Sequence, residues 1–161
     1  MRILSVLLGA AILGAGVQGS FAQTGSHSEV MTKITPEAMA AVLRDAGYRA
    51  EIQQGKSTKY IRTAMAGYKV AVYFYDCEED GCGAMQLSTG FDKSPRLTAT
   101  LANKWNSEHR YARAYVDPSD GSFYFEYDFV ATGITNAFIK DNLTLYEQQL
   151  GNLGKLEKAA E

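Results

Sequence analysis

Cys77 and Cys82 are the chain's two cysteines, and they flank the four residues Glu78-Glu79-Asp80-Gly81. If the segments on either side pair as a hairpin, the two side chains face each other at a separation a disulfide accepts. In an oxidising compartment such a pair closes, and so small a loop gains only about 2 kcal/mol in the chain-entropy account. A structural staple, a redox switch and half of a zinc site are the three chemistries open to it. The spacing is not the C-x-x-C of a dithiol catalyst. The sequence holds two histidines, of which His27 sits in a polar leader, so a zinc site lacks obvious further ligands. Asp76 to Gly81 also imitates the first half of a calcium loop, with oxygens at alternate positions and Gly at the sixth. The twelfth position, where a bidentate acid belongs, is Leu87. The expected reading is a disulfide across a solvated acidic turn, with no metal and no cofactor.

His109, beside Glu108, is the one histidine within the expected domain. The pair invites an acid/base role, but no Ser or Cys nucleophile can be matched to it, and a surface His near a helix end is the plainer reading. No G-x-S-x-G, Walker loop, dinucleotide fingerprint or H-E-x-x-H occurs. No catalytic residue is therefore assigned. What remains is aromatic: Tyr73 and Tyr75, with Tyr111, Arg113 and Tyr115, and Tyr124 beside Glu126, fall on the less apolar sides of expected strands. Rigid aromatics with an Arg and carboxylates make a partner-binding surface, unless the final helix covers that wall.

The elements that must position these groups can be read in order. Thr35-Pro36-Glu37 is a helix start, with Met39, Val42, Leu43 and Ala46 on one face and Gly47 as the stop. Strands are expected over 48–53, 59–65, 68–77 and 83–91. In the third, Val70, Val72 and Phe74 alternate with Ala71, Tyr73 and Tyr75. Ser94-Pro95 opens a second helix through Leu97, Leu101 and Trp105, ending near Asn106-Ser107. Strands over 110–116 and 122–130 flank the turn Asp117-Pro118-Ser119-Asp120-Gly121, and a long helix runs from Gly133, with Ile139, Leu143, Tyr146, Leu150 and Leu153 as its apolar stripe. That stripe packs either on its own sheet or on a partner subunit. The order α-β-β-β-β-α-β-β-α is α+β, an antiparallel sheet with flanking helices.

Arg2, the apolar run Ile3 to Val17, and the small residues Ser20 and Ala22 have the three-part layout of a secretory signal, with a cut expected after Ala22. The run is too short to span a bilayer, so no stable membrane insertion is expected after cleavage. The expected domains are a signal peptide over 1–22, a flexible lead-in over 23–33, a single α+β domain over 34–155 and a tail over 156–161. The formal charge of −2, without clustered Lys and Arg, gives no nucleic-acid footprint. The expected compartment is the periplasm or the exterior.

Leu43-Arg44-Asp45-Ala46-Gly47-Tyr48, Val72-Tyr73-Phe74-Tyr75-Asp76-Cys77, Leu97 to Asn106, and Tyr115-Val116-Asp117 through to Phe129 together resemble the YbjN domain family, described as "putative bacterial sensory transduction regulators". The resemblance spans about residues 34–153. It implies a type III secretion chaperone-like fold, whose chaperone members act as dimers on protein clients. An exported, non-enzymatic module for a protein or peptide partner follows, with a homodimer as a further expectation. A small-molecule sensor or carrier domain and a hydrolase centred on His109 are the alternatives.

Overall fold

The computed structural model describes residues 29–159; the signal segment over 1–22 and its cut after Ala22 lie outside them. Helix α1 (Pro36–Asp45) leads into strands β1 (Glu51–Gln54), β2 (Lys59–Met65), β3 (Tyr68–Glu78) and β4 (Gly81–Phe91). Helix α2 (Ala99–Glu108), strands β5 (Arg113–Val116) and β6 (Phe123–Val130), and helix α3 (Asn136–Lys158) complete the order. The strands form one antiparallel sheet, β1-β2-β3-β4-β6-β5. The fold is α+β, as the element order implies.

Each helix begins on a threonine whose hydroxyl accepts a free N–H of the first turn: Thr35 from Ala38 (3.1 Å), Thr98 from Leu101 (3.2 Å) and Thr135 from Phe138 (3.2 Å). Thr98 moves the start of α2 four residues beyond the expected Ser94. The Ser94 hydroxyl instead accepts from Arg96 N in a local turn, and Leu97 is buried just ahead of the cap, as a hydrophobic staple requires. Likewise, Gly133 takes a positive φ before Thr135 and does not open α3 itself.

All three helices pack on one face of the sheet. Ile61, Met65, Val70, Val72, Met85, Leu87, Phe123 and Phe125 meet Met39, Leu43, Trp105 and the α3 stripe there. Ile139, Leu143, Tyr146, Leu150 and Leu153 are all buried, so the stripe is spent on the chain's own sheet. Tyr146 ties the layers together: its hydroxyl donates to Phe125 O (2.8 Å) and shares a hydrogen bond with Thr89 (2.9 Å). The β5 edge is sealed by α2. Asn106 both donates to Ala114 O and accepts from Ala114 N at 2.9 Å, imitating a neighbouring strand.

The boundaries differ at both ends from those the composition suggests. Residues 31–33 of the expected lead-in are pinned: Met31 exchanges backbone bonds with Ile134 O and Gly133 N, and Lys33 Nζ pairs with Glu78 and Asp80. Ile34 exchanges a bonded pair with Cys82 (3.0 and 2.9 Å). Gly81 permits this approach, since a Cβ there would lie 3.1 Å from the Lys33 Cβ. At the other end α3 continues to Lys158, past the expected 155.

Cys77 and Cys82 are cross-strand partners with Cα atoms 3.8 Å apart, and they are joined as a disulfide. The bridge closes the hairpin tip onto which Ile34 is laced. Cys77→Ala/Cys82→Ala is expected to lose about 2 kcal/mol of unfolding free energy, read as a lower urea midpoint. Native-state hydrogen exchange should accelerate first at Ile34 and at position 82, whose backbones exchange the bonded pair.

Candidate functional site

Alternation along the strands builds the face opposite the helices. Five register pairs align Glu51, Arg62, Ala71, Ser88, Glu126 and Arg113 across all six strands. Beside them run Tyr73, Gln86 and Asp128, and on the other side Gly90, Tyr124 and Tyr115. Among the described residues no element lies over this face: Tyr73, Tyr75 and Tyr115 remain 39%, 46% and 38% exposed.

Five of the six expected partner-binding residues gather here: Tyr73, Tyr75, Arg113, Tyr115 and Tyr124. Tyr111 does not. Its φ of 77° closes a three-residue γ-turn, with Ala112 N donating to Arg110 O at 3.1 Å. The turn delays β5 to Arg113 and sends the Tyr111 ring round to Tyr127, on the helix side. The cause is tertiary, since Trp105 Nε1 donates to Ala112 O at 2.9 Å and holds the chain in that turn.

Glu126 is the centre of the face. Its buried carboxylate accepts from Arg113 Nε (3.2 Å) and Nη2 (2.7 Å), Tyr115 Oη (3.2 Å), Ser88 Oγ (3.3 Å) and Gln86 Nε2 (3.3 Å). Gln86 also donates to Asp128 (2.8 Å) and accepts from Tyr75 (3.2 Å). Arg113 is 3.4 Å from Asp128, and its guanidinium carbon lies 5.9 Å from the Tyr115 ring centroid. Tyr115 in turn stacks on Tyr124 at 5.4 Å. Such a satisfied network orients its aromatic rings without spending a free charge.

Burial first, and then the Glu126 charge, push the Tyr115 phenol up to about 12 from its ordinary 10.0. Burial likewise raises Tyr73 and Tyr75. Burial and a hydrogen bond to Glu147 lift Tyr48 to about 12. The fold holds these phenols neutral where the unfolded chain ionises them. Their contribution is therefore whole below about pH 10 and disappears as pH rises through about 12. Urea midpoints should fall across that window, and Tyr115→Phe should flatten the fall.

Strand β4 gives the face its relief. Its outward residues are Ala84, Gln86, Ser88 and Gly90, and three of these are small. Beside Ala64 and Ala71, Ser88 and Gly90 floor a trough of about 660 Å3 walled by Tyr60, Tyr73 and Tyr124. The sequence reading missed this trough and the cations at its rim, Arg49, Arg62 and Lys69. The available signal was β2, where Tyr60, Arg62 and Ala64 alternate with the buried Ile61, Thr63 and Met65.

The other sequence candidates lie elsewhere. His109 stacks flat on the Trp105 indole at 3.8 Å, with its Nδ1 3.3 Å from Trp105 O, so its ring caps α2. In the acidic turn, Glu78 and Asp80 are engaged by Lys33.

A family model described as "Putative bacterial sensory transduction regulator", YbjN, matches residues 35–152. The chain belongs to the YbjN family. The crystal structure of YbjN from E. coli, titled a putative transcription regulator, shares the fold with a TM-score of 0.61. It covers 81% of this chain and 94% of its own, at 11% identity. That identity carries the architecture alone, and the family is one of described regulators. No curated protein matches. Within this YbjN-family chain, no helix among the described residues is long and apolar enough to cross a membrane.

Proposed function

We propose that this YbjN-family chain is an exported, non-enzymatic regulatory module that recognises a protein or peptide on the open face of its sheet. The observation that carries the reading is the uncovered wall of Tyr73, Tyr75, Arg113, Tyr115 and Tyr124, oriented around Glu126 while all three helices occupy the opposite face. Tyr and Arg are enriched among the side chains that dominate interface energetics, and the rigid Tyr ring buries much area at little entropic cost. Export is supported by the layout of residues 1–22 and is consistent with the Cys77–Cys82 disulfide.

The test is site-specific photocrosslinking in the native host. A benzoylphenylalanine in place of Tyr73 should capture a partner that the same probe at Lys104, on α2, does not. Equal capture at both positions, or none at Tyr73, would sink the reading. N-terminal sequencing of the native product should begin at Gln23. A start at Met1 would remove export from the proposal. Light scattering on the same material tests the homodimer.

The trough of about 660 Å3 favours a second reading, a small-molecule sensor or carrier. A ligand screen by thermal shift separates the two. A metabolite that stabilises the protein and depends on Tyr73, with no crosslinked partner, selects the sensor.

A further inference from the structure

The open face has two electrically different halves. Around β4, β6 and β5 the one cation, Arg113, faces two carboxylates, Glu126 and Asp128. Around β1, β2 and β3 the trough is rimmed by three cations, Arg49, Arg62 and Lys69, and by a single carboxylate, Glu51. Among the described residues none of the three cations makes an ion pair or a side-chain hydrogen bond, whereas Lys33, Lys59, Arg113 and Lys140 all do. This excess of positive charge stands in a chain whose formal net charge is −2. The trough is therefore a local reversal of the molecule's overall sign.

We infer that the partner segment bound in this trough is an acidic peptide whose carboxylates alternate with aromatic or large apolar residues. The inference rests on the peptide-binding reading above and specifies its chemistry. Carboxylates would meet Arg62 and Arg49, whose planar guanidinium groups donate to them in a fork, and Lys69. Apolar side chains would lie on the floor of Ala64, Ala71 and Gly90 between the rings of Tyr60, Tyr73 and Tyr124. Tyr60 and Tyr73 are already 5.7 Å apart and tilted by 31°, a wedge open to a third ring. An extended peptide suits this arrangement because successive side chains point to opposite sides. The apolar set, repeating about every 7 Å, would face the floor, while the carboxylates between them are left for the long cationic side chains at the rim. Glu51, opposite Arg62 in register, tempers the field and sets a preference for a peptide that brings more than one carboxylate.

The test is fluorescence anisotropy of the purified full chain with a labelled peptide of alternating Glu and Phe, set against its Gln/Phe and Lys/Phe counterparts. The Glu peptide should bind at least about tenfold tighter than the Gln peptide, and raising salt from about 0.05 to about 0.5 M should erode that advantage. Arg62→Glu/Lys69→Glu, both exposed positions, should abolish the preference or invert it toward the Lys peptide. Lys104→Glu, on the helix side, should change binding by less than about twofold. Circular dichroism of each variant confirms that it is folded.

If all three peptides bind equally and Tyr73→Ala weakens them equally, the acidic preference is wrong while peptide recognition on this face stands. If no peptide binds and 4-hydroxyphenylacetate stabilises the chain in thermal shift, the inference and the peptide reading fail together, in favour of a small-anion sensor.

Discussion

Trp105→Ala is expected to remove about 3–5 kcal/mol of unfolding free energy, measured by circular dichroism through a urea titration. The indole is fully buried, lies flat against His109 at 3.8 Å and meets the Phe125 ring edge-on at 5.0 Å. Truncation leaves a cavity of indole size and deprives the Ala112 carbonyl of its donor. The damage should also be directional. Strand β5 pairs with β6 over four residues and otherwise depends on α2 through Trp105 and Asn106. Losing that anchorage frees the segment that presents Arg113 and Tyr115, so crosslinking from the open face should weaken along with stability. Trp105→Phe keeps most of the volume and should lose only about 1–2 kcal/mol, largely for the missing N–H. A loss below about 1 kcal/mol for Trp105→Ala would mean that α2 does not hold β5 in the way described.

Glu126→Ala is the second large effect, expected at about 2–3 kcal/mol. Its side chain is 8% exposed while that of Arg113 is 58% exposed, so the stranded guanidinium can reach water and the cost stays below that of a fully buried pair. The greater part comes from the polar groups beneath. Ser88, itself buried, loses the one hydrogen bond its hydroxyl makes to a side chain here, and Gln86 and Tyr115 each lose one. Arg113→Ala added to Glu126→Ala should cost far less than Arg113→Ala alone, because the bond it would break is already gone. Simple additivity would show that the two side chains are not coupled. The same variant separates the two halves of the face: it unfastens Tyr115 directly and Tyr75 through Gln86 while leaving Arg62 and Lys69 in place.

Much of the scaffold was legible locally. Thr35-Pro36-Glu37 announces α1 because a hydroxyl, a fixed φ and a carboxylate each act on the first turn alone. The alternation of Val70, Val72 and Phe74 with Tyr73 and Tyr75 identifies β3, and the cysteine spacing anticipates the cross-strand bridge. Ser94 misled because Ser-Pro is as good a turn as it is a helix start. The choice of Thr98 was decided by burial of Leu97, which the local sequence does not reveal. Tyr111 misled for a related reason. Parity along β5 assigns it to the wall beside Arg113 and Tyr115, and the hydrogen bond from Trp105 to Ala112 breaks that parity. The trough went unread because it is made by what β4 lacks. Ser88 and Gly90 are unremarkable in sequence and become a floor only when strands with tyrosines stand on both sides.

By itself, then, the sequence determined the order of elements, the apolar stripe of α3, the cysteine pair and the existence of a tyrosine-bearing strand face, since caps and periodicities act over a few neighbouring residues. Only the tertiary structure decided which face the helices would cover. Period two distinguishes two sides of a strand without saying which one meets α3, and that choice follows from how Ile139, Tyr146 and Leu150 fit Phe125 and Leu87 across the layers. Register decided the rest. It set Glu126 against Arg113 across one hairpin and against Ser88 from a strand far away in the chain, and Arg62 against Glu51 across another hairpin. Scattered polar residues so became a half where carboxylates outnumber the cation and a cationic half of one surface.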